Sequence, residues 1–380
     1  MPSSFSVLSG RYKERYMKIV FYLGHPAQYH FIKHTVKELI NDGHQIKILI
    51  KTKDILEDLL KEDGWDYENI QTVPRKNTKW SIIKASFARS WKVYRFAHSF
   101  GADMLIGTDS SIAQAAWLMR KPAITTLEDD VEVIYNLARL TFPFTSTILV
   151  PLPCRVGKWE KKKVSYYGYM KLAYLHPNRF SPDISVVDKY GITGKFIIVR
   201  LAGLTAHHDV GIKGLNVAIV HRIIDTALDH GYSVYISSES SLDPSLASYQ
   251  LHIAHTDIHP ILAYASMIIS DSQSMSVEAA MLGTPSIRFS DFAGRISVLE
   301  ELEKEYGLTF GVQPTNIVLL ETKLKELLSL PDVRFEFKSR RDRMLAEKID
   351  VTAFLIWFIE NYPESKITIQ NNPDFQLRFR

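Results

Sequence analysis

Short apolar runs alternate with amphipathic stretches along most of this chain, and that alternation restricts it to parallel sheets with crossover helices. Residues 18–23 (KIVFYL) predict a first strand, and residues 28–41 a helix that stops at Asp42-Gly43, a glycine stop signal. A strand over 45–50 follows, then weaker units: strand 104–108, helix 112–119, strand 123–127, helix 131–140 and strand 147–151. A second alternation opens with strand 196–200 and runs through helix 214–230, strand 233–238, helix 258–264, strand 267–270, helix 274–282, strand 286–289 and helix 296–306. Between the two, Pro151, Pro153, Pro177 and Pro182 punctuate a tyrosine-rich stretch. The expected organisation is a flexible extension (1–16), an N-terminal doubly wound domain (17–165), an interdomain segment (166–190), a C-terminal doubly wound domain (191–346), a strongly apolar helical segment (347–363) and a fraying tail (364–380). Doubly wound halves place ligands at the carboxyl ends of their strands, in the crevice between the halves.

Composition narrows the class further. A chain of 380 residues with 46% hydrophobic and 23% charged residues suits two globular domains and excludes a disordered or collagen-like one. The single cysteine, Cys154, excludes an intramolecular disulfide and a cysteine-based zinc site. Apolar runs fall short of the roughly 18 residues of a membrane span, and no secretory signal is visible, so a cytoplasmic protein is expected. The net charge of +4 gives no concentrated basic face for nucleic acid. It conceals an asymmetry: residues 1–180 hold 27 Lys and Arg against 17 Asp and Glu (+10), residues 181–380 hold 19 against 25 (−6). A basic first half suits an anionic membrane or a lipid-linked diphosphate acceptor. Residues 75–100 interleave Arg75, Lys76, Lys79, Lys84, Arg89, Lys92 and Arg95 with Trp80, Phe87 and Trp91, a pattern that fits peripheral membrane contact as well as an ordinary solvated helix.

The most specific stretch is residues 264–289 (YASMIISDSQSMSVEAAMLGTPSIRF). A strand ending in Asp271-Ser272 leads into a helix, whose N-terminus offers backbone N–H groups and the positive end of a dipole to a pyrophosphate. Ser272, Gln273, Ser274, Met275 and Ser276 form its first turn, and Glu278 lies where a carboxylate can accept from ribose hydroxyls. Helix capping would also favour these serines, although no Ser or Thr stands three residues before Glu278 to make a capping box.

This stretch resembles the donor-binding motif of the UDP-N-acetylglucosamine 2-epimerase and GT-B glycosyltransferase superfamily, Asp-Ser-Gly-Gly-x-x-Glu-Glu-Ala followed by Leu-Gly-x-Pro. Asp271, Ser272, Glu278, Ala279, Leu282, Gly283 and Pro285 match, whereas Gln273, Ser274 and Val277 depart. From Met17 to Pro363 the chain is similar to a family of predicted bacterial and archaeal glycosyltransferases of unknown specificity, through YYGYMKLAYLHP (166–177), VRLAGLTAHHDVGIKGL (199–215), ISSE (236–239), SDSQSMSVEAAMLGTP (270–285) and EKIDVTAFLIWFIENYP (347–363). The resemblance implies a GT-B fold, two Rossmann-like domains with a C-terminal helix crossing back to the first.

Three further loops fall at predicted strand ends. In residues 200–214, Arg200 and Lys213 can neutralise a diphosphate, and His207 or His208 is similar to the histidine of the epimerase His-Arg-Arg-Glu-Asn loop; a solvated loop is the plainer reading. Gly24, His25 and His30 follow the first strand, a loop that lines the acceptor side in GT-B enzymes, and His30 is a candidate general base. His34 one turn later lacks the Glu of a zincin motif, and no metal or other cofactor is expected. Glu128, Asp129 and Asp130 crowd the end of strand 123–127, with Asp109 and Ser110 on the same rim; they are candidate catalytic carboxylates or complements to a helix dipole. The epimerases carry His-x-Glu-Ala-Gly-x-Arg there, and its histidine, glycine and arginine are absent here. The expected function is transfer of a hexosyl or N-acetylhexosaminyl group from a nucleotide-diphosphate sugar, a UDP-sugar first, to a cell-surface polysaccharide or lipid-linked acceptor. The alternatives are a non-hydrolysing 2-epimerase and a non-catalytic sugar-nucleotide-binding scaffold.

Overall fold

The computed structural model describes residues 16–51, 55–71, 79–202 and 214–380, so the expected extension up to residue 15 and the candidate site residues His207, His208 and Lys213 lie outside the described residues. Strands β1 (Lys18–Leu23), β2 (Gln45–Lys51), β3 (Tyr67–Gln71), β4 (Met104–Gly107), β5 (Ala123–Thr126), β6 (Thr147–Pro151) and β7 (Lys163–Tyr166) form one sheet in the order β3-β2-β1-β4-β5-β6-β7. Its helices are α1 (Pro26–Asn41), α2 (Leu56–Glu62), α3 (Lys79–Phe100), α4 (Ser110–Met119) and α5 (Tyr135–Thr141). Two short helices follow, α6 (Leu172–Leu175) and α7 (Ser185–Lys189). The second sheet comprises β8 (Phe196–Leu201), β9 (Ser233–Ser238), β10 (Met267–Ser270), β11 (Ser286–Phe289) and β12 (Thr309–Val312), ordered β12-β11-β10-β8-β9. With it go α8 (Val217–Asp229), α9 (Ile258–Tyr264), α10 (Gln273–Leu282), α11 (Ser297–Lys304), α12 (Ile317–Leu328) and α13 (Val333–Glu347), and the chain ends in α14 (Val351–Glu360) and α15 (Glu364–Asn371).

The strand pairs with described registers are all parallel. Burial of both faces explains why strands such as KIVFYL and FIIVRL read as continuous apolar runs rather than alternating ones. Val20 and Tyr22 of β1 enter a core cluster with Leu49, Leu105, Val93 and Ala97 of α3, and Ile112 and Ala116 of α4.

By contacts the chain divides into two compact units, one of residues up to 29, 35–126 and 139–148, the other of residues 30–34, 127–138 and 149–380. Each sheet reverses direction once. The chain winds outward from β1 through β2 and β3, then returns to lay β4 on the other side of β1; likewise β9 flanks β8 on one side and β10 on the other. Such reversals leave a crevice at the carboxyl ends of the two adjoining strands, where no crossover connection covers it. In the five-stranded sheet Arg200 of β8 is in register with Ser270 of β10, so Ala202 and Asp271 leave the sheet side by side.

Two of the expected segments take another form. The helix expected over 131–140 begins only at Tyr135, because Val131 N–H donates to Arg155 O and Asp130 O accepts from Val133 and Ile134, which spends this stretch on a turn. The tail expected to fray over 364–380 forms α15 and a 3-10 turn (Pro373–Phe379). Gln376, fully buried, accepts from Tyr167 N–H at 2.6 Å and donates to Ser165 O, and Phe375 and Phe379 pack on Trp357. Its polar composition hides one glutamine that supplies the bonds strand β7 needs at its end.

Candidate functional site

At the end of β10 the chain turns into α10 through Ser272, the N-cap, whose hydroxyl accepts from Met275 N–H over a long 3.5 Å. Ser272 N–H donates to Ser270 Oγ, and the Ser276 hydroxyl donates back to Ser272 O. Helix geometry leaves the N–H groups of Gln273 and Ser274 without acceptors inside α10 and aimed out of its positive end. Ser272, Gln273 and Ser274 are half-buried, whereas Met275, Ser276 and Glu278 are buried. This turn can hold an anion through two N–H groups and the Ser274 hydroxyl.

Asp271 serves as a backbone clasp. Its Oδ1 accepts from Ala202 N–H at 2.7 Å, and Leu215 N–H also donates to the carboxylate, so it ties Ala202 to Leu215. Burial outweighs those donors and raises its carboxyl to about 6. Arg200 is turned sideways along the sheet, donating to Ser237 Oγ at 2.7 Å and to Glu239 Oε1 at 2.6 Å. A diphosphate would share it with Glu239.

Glu278 sits one turn into α10, buried, and accepts at 2.6 Å from the Tyr174 hydroxyl of α6, while His259 Nε2 of α9 stands 3.5 Å from the same Oε1. Burial alone would raise this carboxyl; His259, then Lys171 and the Tyr174 hydroxyl, outweigh it and hold it down at about 2. His30 completes the cluster, its ring centroid 5.2 Å from Tyr174 and 5.3 Å from His259. Burial, then the charge of His259, push His30 down to about 3, so it stands as neutral imidazole at pH 7. Sequence reasoning selected Glu278 and His30 but missed Tyr174, His259 and Lys171. Tyr174 and Lys171 stand in the YYGYMKLAYLHP segment quoted above, whose repeated tyrosines were read as linker. Nothing local marks His259 on its short helix.

The other rim residues have structural partners. Glu128 pairs with buried Lys171 at 3.1 Å and accepts from Met170 N–H at 2.7 Å. Burial works against the charge on Lys171, but Glu128 and then Glu278 outweigh it and hold that ammonium above its ordinary value. Asp130, fully buried, accepts from Arg155 N–H and Ser297 N–H, each at 2.8 Å. Asp129 is half-buried beside them. Two of the three adjacent carboxylates therefore hold backbone together, which is how the chain tolerates their crowding. Asp109 caps α4, accepting from Ser111 N–H and hydroxyl, and faces Arg89 at 3.3 Å, with Ser110 buried next to it. Gly24 N–H donates to Gln28 Oε1, and His25, exposed, caps α1 by accepting at Nδ1 from Ala27 N–H. Gly24 and Asp109 thus flank the reversal between β1 and β4. Among the described residues, no group of three His, Cys, Asp or Glu could hold a metal ion.

No protein-family model matches the chain, and no curated protein matches it in sequence. Solved structures do match in fold. The S. aureus MnaA–UDP complex superposes with a TM-score of 0.64 at 14% identity, covering 94% of this chain and 97% of that one. The UDP-GlcNAc 2-epimerase of Neisseria meningitidis bound to UDP-GlcNAc gives 0.57 at 12% identity (87% and 100% covered), and the calicheamicin glycosyltransferase CalG4 gives 0.55 at 15% (92% and 100%). The fold is GT-B-like, shared by nucleotide-sugar glycosyltransferases and UDP-GlcNAc 2-epimerases.

Proposed function

We propose that the chain is a metal-independent glycosyltransferase that takes a sugar from a nucleotide-diphosphate donor, a UDP-sugar first, and passes it to a polysaccharide or lipid-linked acceptor at the cytoplasmic face of the membrane. One observation carries this reading: the reversal between β8 and β10 puts the first turn of α10, with its outward N–H groups, at the open end of a parallel sheet. Two structures of similar fold, one bound to UDP and one to UDP-GlcNAc, support a uridine nucleotide there.

In this reading the diphosphate lies on Gln273 and Ser274 N–H, with Arg200 beside it. An acceptor hydroxyl attacks the anomeric carbon, the bond from that carbon to the diphosphate oxygen breaks with its electron pair going to the diphosphate, and the hydroxyl proton passes to neutral His30. An imidazole held near 3 is a weak base. The charge of a bound diphosphate moves it back towards the useful range. The epimerase alternative is disfavoured because Glu128, which stands where the epimerase motif has its carboxylate, is locked between Lys171 and Met170 N–H.

The test is a thermal-shift panel of nucleotides and sugar nucleotides on the wild type, Glu278→Gln and His30→Ala, followed by turnover with the best donor. UDP-type ligands should raise the melting temperature of the wild type and of His30→Ala, and turnover should fall about 100-fold in His30→Ala. Turnover untouched by either change removes the site, and conversion of UDP-GlcNAc to its manno epimer without an acceptor establishes the alternative.

A further inference from the structure

Helices α3, α4 and α5 lie side by side: Ser90 of α3 donates to the side-chain carbonyl of Gln114 on α4, and Gln114 donates to Leu140 O of α5. Around that hydrogen-bonded spine stand Phe87, Trp91, Trp117, Leu118 and Leu140, each half or more exposed. Trp91 stacks on Tyr94, and Trp117 meets Phe144 edge-on. None of the three helices contains an Asp or Glu, whereas Lys92, Arg95 and Arg139 lie on them and Arg120 follows α4 directly. Lys92, Arg95, Arg120 and Arg139 are exposed. Two of the other exposed apolar residues, Val318 on α12 and Phe335 on α13, lie on helices that carry Glu321, Glu326, Glu336 and Asp342. Absence of acids thus sets α3, α4 and α5 apart from α12 and α13.

We infer that the face made by α3, α4 and α5 docks the chain on an anionic lipid surface. Exposed indole, phenyl and leucyl groups between cations fit the headgroup boundary, where rings enter the acyl edge and ammonium and guanidinium groups meet lipid phosphates. A protein partner could cover the apolar groups, but it would have to supply a matching row of carboxylates. Nucleic acid would leave the two tryptophans and two leucines without apolar cover. No helix among the described residues is long and apolar enough to cross a membrane, so the contact is peripheral. The inference deepens the acceptor half of the function proposed above and rests on that reading only for the reason a membrane is visited.

The experiment is co-sedimentation of the full chain with vesicles of phosphatidylcholine alone and of phosphatidylcholine with phosphatidylglycerol, at low and high salt. The wild type should bind the phosphatidylglycerol vesicles and be released by salt. Trp91→Ala with Trp117→Ala, and separately Lys92→Glu with Arg95→Glu, should each weaken binding about tenfold or more. Val318→Ala with Phe335→Ala should leave it unchanged. All these side chains are exposed, and unchanged circular-dichroism melting checks that the variants fold. Absence of binding to phosphatidylglycerol vesicles at low salt overturns the inference, as does binding that survives both pairs of changes. A dimer mass by light scattering that Trp91→Ala with Trp117→Ala converts to monomer also overturns it, because a second copy then covers the face. Vesicle binding is read without turnover: binding with no transferase activity sinks only the enzymatic reading, and activity on a soluble acceptor without binding sinks only this one.

Discussion

Three groups near the start of α10 respond to acid with differing signs. His30 is held near 3, below its ordinary 6.5, so its contribution to stability is complete above pH 6.5 and is lost as pH falls towards 3. Glu278 is held near 2, below 4.5, so its contribution is complete above pH 4.5 and is lost as pH falls towards 2. Asp271, raised to about 6 from 3.8, works the other way: its contribution is complete below 3.8 and is lost as pH rises through 6. Melting temperature followed between pH 7 and 4.5 should therefore fall less steeply in His30→Gln than in the wild type and more steeply in Asp271→Asn; three superimposable profiles would refute the assignment. At fixed pH, Glu278→Ala strands the Tyr174 hydroxyl and the imidazole of His259, and should cost about 3 kcal/mol in urea unfolding. Glu278→Gln, which can still accept from Tyr174, should cost clearly less.

At the scale of elements, α10 shows how one sequence pattern serves two ends. Its bounds are legible: an apolar strand, Ser272 as cap, and Gly283 with φ of 74° at the C-cap, a left-handed position that only glycine takes without strain. The long cap bond predicts that Ser272→Ala costs only about 0.5 kcal/mol of stability. On the proposed reading it also weakens nucleotide binding, and a thermal-shift titration separates the two effects. Gly214 is needed for closeness rather than for φ. A Cβ there would stand 2.7 Å from an Asp271 carboxylate oxygen, so Gly214→Ala must push the clasp aside and should destabilise by about 2 kcal/mol. The capping and period signals are local, which is why they could be read along the chain. The turn that replaces the start of the 131–140 helix could not, because its cause, Arg155, is supplied from after β6.

Over the whole molecule, the C-terminal segment returns to residues 161–179. Thr352 Oγ1 donates to Ala173 O, Arg179 pairs with Asp350 at 2.9 Å, Gln370 donates to Lys163 O, and Gln376 bonds the backbone on either side of Tyr166. Deleting residues 364–380 should therefore lower stability by about 3 kcal/mol, through lost aromatic packing on Trp357 and unmet backbone groups of 165–167, rather than trim a loose end; an unchanged melting curve would contradict this. The sequence alone determined the two parallel sheets, their approximate strand positions and the loop–helix unit at 270–283, because parallel strands buried on both faces and capped helices write their signal into neighbouring residues. Only the tertiary structure decided what the charged residues do. It spent Glu128, Asp130 and Asp271 on backbone, gathered His30, Tyr174, His259 and Glu278 from four distant stretches, and set five apolar side chains on three acid-free helices. Those outcomes depend on which side chains meet after folding, and a buried charge is defined by its partners, which lie anywhere along the chain.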